Sequence, residues 1–355
     1  MTHFAAVTAV TARTPVGLRA DSSAAAVRAG ISRLRFHPYF VAPTGERIRG
    51  ATDGLLDSNL QGAPRLVALA CDALEQMCRL LPTTALRGKV RIPVLLSVPE
   101  HRPGFTAVDE AEVLAKLQRA APPGLALQVA HRGHAGALYA LGLAEQWIRA
   151  GQAALVLVGG VESYFHADTI EWLIENDQLA MENGRSPFVP GEGACFVALA
   201  SAHFGLPALS WLRGAHSTQE TSLIKTDAVN QAKALTSAVN HAAADLRLPD
   251  EAVDDVWCDL NGERYRTDEW SYVLQRSPHV FKQEHGRAVS YQMAADAWGD
   301  MGAASGALLT MLAVRSWQRS YARGPRVLVF AGSEKGLRSA IVLEKGLVLE
   351  RGFKP

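Results

Sequence analysis

Residues 133–163 read GHAGALYALGLAEQWIRAGQAALVLVGGVES and carry the strongest structural signal in the chain. A glycine-bounded turn opens a helical pattern from Ala135 to Ala150. The strand Ala153 to Val158 follows, and Gly159-Gly160-Val161-Glu162-Ser163 forms a tight turn leaving it. A glycine before a helix lets another group approach the backbone, and the free N–H groups there favour partial negative charge. The residue set in that turn is His134. A histidine at a helix start is expected to be neutral and nucleophile-assisting, and the bland alternative is a packed polar residue.

Residues 299–306, GDMGAASG, echo this pattern. They open a second helix that ends near Trp317, Gln318 and Arg319, as the first ends near Trp147, Ile148 and Arg149. Each helix precedes an apolar strand, Ala154 to Val158 and Val327 to Ala331. The residue in the second turn is Asp300, whose simplest reading is an N-cap. The echo predicts two related halves, 1–200 and 201–355. Further strands are expected at Phe4 to Val10, Val90 to Val98, Ala194 to Ala200, Val253 to Leu260 and Ser339 to Leu343. Helices are expected at Ser22 to Ala29, Ala63 to Leu81, Val108 to Ala120, Asp227 to Ala244 and Ala303 to Arg319. Such alternation indicates a layered α/β architecture with much parallel pairing. Phe36 to Gln61 and Tyr265 to Gln292 read as irregular segments able to cover a pocket.

The chain has 355 residues, 48% hydrophobic and 20% charged, with a net charge of +1. That balance gives no reason to expect nucleic acid or an anionic membrane as partner. The N-terminal apolar run ends at Thr11, Arg13 and Pro15, and no run is long enough to span a bilayer. A cytoplasmic protein is expected. Cys71, Cys78, Cys195 and Cys258 form no CxxC pair and read as structural. His131 and His134 have helical ligand spacing but lack a third partner, so no metal is expected. No phosphate loop, no GxGxxG opening a helix and no GxSxG elbow is present, and no cofactor is implied.

Taken together, the segments resemble the β-ketoacyl synthases over nearly the whole chain. Ala6 to Gly17 followed by AAAVRAGI at 24–31 is similar to that family's first strand and helix. GG-x-E at 159–162, then RSPFVPGEGACFVAL at 185–199, points to the elongating-synthase branch. Asn261-Gly262 with Thr267, Asp268 and Glu269 resembles the His-Gly-Thr…Asp…Glu region, and GDMGAASG the GHxxGAAG element. The resemblance implies a thiolase-like five-layer αβαβα fold and condensation of a carrier-bound acyl group with a malonyl unit. In that chemistry a cysteine at a helix N-terminus is the nucleophile, two histidines assist decarboxylation and hold the enolate, and a lysine orients one histidine.

Every one of those positions differs here. The cysteine position is His134, the histidine positions are Asn261 and Asp300, and the lysine position falls at Ala295. The glycine-rich C-terminal turn is Phe330 to Lys335, which keeps only part of the pattern. An aspartate in place of a histidine that stabilises an enolate repels the negative charge it should hold. The chain is therefore expected to be a non-condensing member. Two accessory roles follow, a chain-length-factor-like partner of an active synthase or an accessory protein of a type VI secretion effector. Partners would be a second copy, an active synthase, an acyl carrier protein or that effector. A different enzyme is the alternative: a His134–Asp300 dyad acting on a thioester as hydrolase or acyltransferase, which requires a hydrogen bond between the two side chains. An acyl-binding pocket without chemistry is the third reading.

Overall fold

The computed structural model describes residues 5–88, 90–181, 188–224, 226, 228–283 and 288–346. The start of the first expected strand at Phe4, the start of the expected helix at Asp227, and Arg185 to Pro187 of the RSPFVP element lie outside them. In chain order the first elements are β1 (Ala5–Arg13), α1 (Ala20–Arg28), β2 (Arg35–Val41), β3 (Arg47–Gly50), α2 (Gly62–Leu80) and α3 (Thr83–Leu86). There follow β4 (Ile92–Val98), α4 (Ala107–Ala120), β5 (Leu125–Arg132), α5 (Gly136–Arg149), β6 (Leu155–Ser163), α6 (Ala167–Glu175) and β7 (Glu192–Ala200). The remainder is β8 (Ser210–Gln219), α7 (Lys233–Ala242), β9 (Asp255–Cys258), α8 (Arg264–Arg276), α9 (Ala295–Trp298), α10 (Ser305–Gln318), β10 (Arg326–Gly332) and β11 (Leu337–Lys345).

The main sheet has nine strands in the order β5-β4-β6-β7-β1-β8-β11-β10-β9. One pattern occurs in it twice. β4 pairs parallel with β6, β6 antiparallel with β7, and β7 antiparallel with β1. Likewise β9 pairs parallel with β10, β10 antiparallel with β11, and β11 antiparallel with β8. The two runs join through a short antiparallel pairing of β1 with β8, Ala5 to Val7 against Ser210 to Leu212. That short junction lets the two halves of the sheet face each other across a central helical layer.

The layer holds α5 and α10, which touch each other and strands of both runs. α10 is buried at nearly every position, as a helix clamped between two sheets must be. Its small residues permit the approach: Gly306 lies against Leu138 of α5. α2 and α4 cover the outer face of the first run, and α7 and α8 that of the second. Three apolar cores fill the spaces between the five layers. Parallel strands connected through helices produce this burial on both faces.

The structure departs from the sequence reading at several elements. The segment expected to be irregular at 36–61 contains most of the β2–β3 ribbon, and the one at 265–292 contains most of α8. α7 begins at Lys233, later than expected, because Ala232 is left-handed and its N–H is held by Asn230 Oδ1 at 2.7 Å. The four cysteines are free thiols, Cys71 and Cys78 half-buried on α2, Cys195 and Cys258 buried in β7 and β9. Among the described residues no helix is long and apolar enough to cross a membrane, and no metal-ligand cluster occurs.

Candidate active site

β5 delivers the chain to Gly133, which takes a left-handed turn (φ 76°) and places His134 at the N-terminus of α5. Gly299 makes the matching turn (φ 73°) ahead of α10 and presents Asp300. These backbone angles suit glycine and explain why both turns carry it. Asp300 is fixed on its backbone too: its N–H donates to Val189 O at 2.7 Å, and its carbonyl accepts from Gly191 N at 2.9 Å.

The two side chains meet. His134 Nε2 donates to Asp300 Oδ1 at 2.8 Å, and both residues are buried. Three further donors reach the same carboxylate. Tyr164 O–H and Gly302 N–H donate to Oδ1 at 2.9 Å and 2.8 Å, and Asn261 Nδ2 donates to Oδ2 at 2.7 Å. The bond to Gly302 closes a local turn, but the helical segments that follow are capped by Met301 and Ala304, so the N-cap expected of Asp300 is not formed. Asn261 is held in turn by Glu263 Oε2 at 2.9 Å. Ala295, at the start of α9, offers only a methyl group beside Asn261 and Asp300, in a space of about 20 Å³. That space is room for a single water. All four positions singled out in the sequence thus lie together.

Burial alone would raise the Asp300 pKa, yet the His134 contact, the nearby Arg266 guanidinium and the Gly302 N–H hold it well below the usual carboxylate range. Burial would likewise lower the His134 pKa, but the Asp300 carboxylate outweighs it and the net direction is upward. The expectation of a neutral His134 is corrected accordingly: its environment favours imidazolium in an ion pair. Tyr164 is pushed well above the ordinary phenol value by burial and by Asp300, so it stays a donor.

His134 also borders a second, larger cavity of about 200 Å³. Its polar wall is formed by Glu100, Arg102, Glu162 and Tyr164, and its apolar wall by Trp172, Leu173, Phe188, Leu223 and Ile224. His134 Nδ1 has no hydrogen-bond partner among the described residues. Glu100 is raised by burial and by its neighbour Glu334. The helix N-terminus itself is not open, because Ser333 Oγ accepts from Ala135 N at 3.0 Å.

Several residues outside the sequence prediction hold this arrangement. Glu162, of the GG-x-E turn, accepts from Arg102 Nη2 at 2.6 Å and from Ala303 N at 3.0 Å, clamping the turn before α10. Glu192, of GEGA, receives Arg65 through two bonds of 2.5 Å and 2.6 Å and Ser163 Oγ at 2.8 Å. Arg266 joins Asp259 at 2.5 Å and Gly332 O at 2.8 Å. Glu269, expected among the family-like residues, is buried against Arg338 at 2.6 Å and 2.7 Å, whereas Thr267 and Asp268 are exposed. The glutamates of the two motifs are therefore buried structural anchors.

No protein-family model matches the chain, and no curated protein matches it in sequence. Solved structures match it over nearly its full length. One is a chain from a complex of a type II polyketide synthase acyl-carrier protein with its ketosynthase, bound to the hexaketide, at TM-score 0.75 and 16% identity. It is covered over 100% of its length by 97% of this chain. A β-ketoacyl synthase from Burkholderia phymatum matches at TM-score 0.75 and 15% identity, over 97% of this chain and 99% of that one. The ishigamide ketosynthase/chain length factor matches at TM-score 0.69 and 18% identity, over 96% and 99%. With its paired strand runs and central helical layer, this chain has the thiolase-like fold of the ketosynthases.

Proposed function

We propose that the chain is a non-condensing ketosynthase homologue that acts as a partner protein. The observation that carries this reading is the Asp300 carboxylate, an anion saturated by four donors and paired with His134. Condensation on this fold calls for a thiolate and for neutral or cationic donors around a developing enolate. Here a fixed carboxylate occupies that place and opposes the charge. The roles that fit are a chain-length-factor-like partner, paired with a cysteine-bearing synthase and its acyl carrier protein, or an accessory protein of a type VI secretion effector. The assembly is a dimer, with a second copy or with that synthase. Affinity capture of the tagged chain from its native host, with mass-spectrometric identification, tests this. Recovery of a synthase or carrier protein supports the first role, and recovery of a secreted effector supports the second. Self-association alone contradicts both.

A second reading is favoured by one specific feature, the 2.8 Å His134–Asp300 hydrogen bond beside a cavity of about 200 Å³. In that reading the neutral form of His134 takes a proton from water at Nδ1, the water oxygen adds to the thioester carbonyl, and the thiol leaves carrying that proton. Hydrolysis of acyl thioesters by the wild type, lost in His134→Ala, supports it. Equal rates in both exclude it.

A further inference from the structure

Residues 31–50, ISRLRFHPYFVAPTGERIRG, hold four arginines against one glutamate, so this short segment is net positive by three in a chain of net charge +1. It folds as the β2–β3 ribbon, a two-stranded sheet separate from the nine-stranded one. Its inner face is anchored by Ile48 and Phe40 in a small apolar cluster, and by His37 stacked on Phe165. Two strands alone are marginal in water, so this anchoring keeps the ribbon folded.

The outer surface is unusual for this molecule. Phe36 is half exposed, and the Arg47 and Arg49 guanidiniums stand over its ring at 5.5 Å and 5.1 Å. Tyr39 and Val41 beside it are 68% and 53% exposed. Arg35, Arg47 and Arg49 form no ion pair with a carboxylate of the described residues. The contrast is with Arg65, Arg102, Arg266 and Arg338, each bound to a carboxylate inside the fold. Unpaired arginine beside exposed aromatic rings is the composition of protein–protein contact centres.

We propose that the outer surface of the β2–β3 ribbon docks an acidic protein, with Arg47 and Arg49 pairing its carboxylates around a contact on Phe36, Tyr39 and Val41. This rests on the partner reading above and assigns a surface to it. A planar guanidinium matches a carboxylate through two parallel hydrogen bonds, which gives the patch orientation as well as attraction. The rings supply the apolar burial that ion pairs alone do not. Nucleic acid is disfavoured because two arginines neutralise few phosphates and the rest of the chain adds no net positive charge.

The test is titration of the purified acyl carrier protein of the native host against the full-length chain, read by calorimetry. Three proteins are compared: wild type, the double variant Arg47→Glu/Arg49→Glu, and the control double variant Arg79→Glu/Arg119→Glu on exposed helix positions. Equal thermal midpoints establish that all three are folded. The proposal expects the ribbon variant to bind about tenfold more weakly or worse, with the control unchanged and the wild-type affinity falling with salt. Binding by wild type and ribbon variant alike overturns the docking surface while leaving the partner reading intact. No binding by wild type overturns the acidic carrier as occupant and also counts against that reading. Arginine-dependent binding of a DNA duplex or an anionic phosphatidylserine vesicle, with none of the carrier protein, overturns a protein partner.

Discussion

Four donors converge on Asp300, and that convergence sets what the residue can do. Its charge is balanced by His134 and by dipoles, so the pair is a folding element as well as a chemical one. His134 gains its partner on folding and its pKa rises above 6.5, so its contribution is full below that value and lost as pH climbs through the folded pKa. Asp300 is depressed below 3.8, so its contribution is present above that value and lost as pH falls through the folded pKa. The pair therefore stabilises most between pH 3.8 and 6.5. Asp300→Asn is expected to lose about 3 kcal/mol at pH 6 in urea unfolding, because it leaves a buried cation unpaired. The loss should shrink at pH 9, and an equal loss at both values would argue that no charged pair exists. His134 and Asp300 were readable in the sequence because each follows a glycine that opens a helix. Tyr164 was not, since it stands in no glycine-bounded motif, and Glu162 and Ser333 stood in quoted turns whose composition does not reveal the groups they bind.

Elements with a clean pattern were legible: α5, α10, β6 and β7 are apolar runs bounded by glycine or polar turns. β5 and β8 were missed because both are only partly buried and neither alternates cleanly, β5 with its exposed Gln128 and β8 with Gly214 mid-strand. α8, RYRTDEWSYVLQR, buries Arg266 and Glu269 as well as Trp270 and Val273, so its inner face does not read as apolar. β5 is also the free edge of the first strand run, where unpaired backbone groups invite another strand. Gln118 of α4 covers part of that edge: its Nε2 donates to Leu125 O at 3.0 Å and its Oε1 accepts from Leu127 N at 2.8 Å. Any pairing of β5 with a second copy is therefore confined to its later residues. Gln118→Ala is expected to cost about 1 kcal/mol and to raise self-association in light scattering, as it uncovers two backbone groups. Unchanged association would show that the edge is already covered by a partner.

Across the whole molecule, one strand pattern used twice places two helix N-termini toward each other, and the site lies where they meet. The same geometry that gathers His134, Asn261, Asp300 and Ala295 leaves only about 20 Å³ beside the last three. In the proposed function the fold's interior serves stability and its outer surfaces serve partners. The most direct check is to incubate the purified chain with an acyl thioester and malonyl thioester, both on carrier protein, and to weigh the carrier species by intact-protein mass spectrometry. A non-condensing chain is expected to yield no β-ketoacyl carrier above the level without protein. A β-ketoacyl product that depends on the chain and disappears in His134→Ala would contradict it.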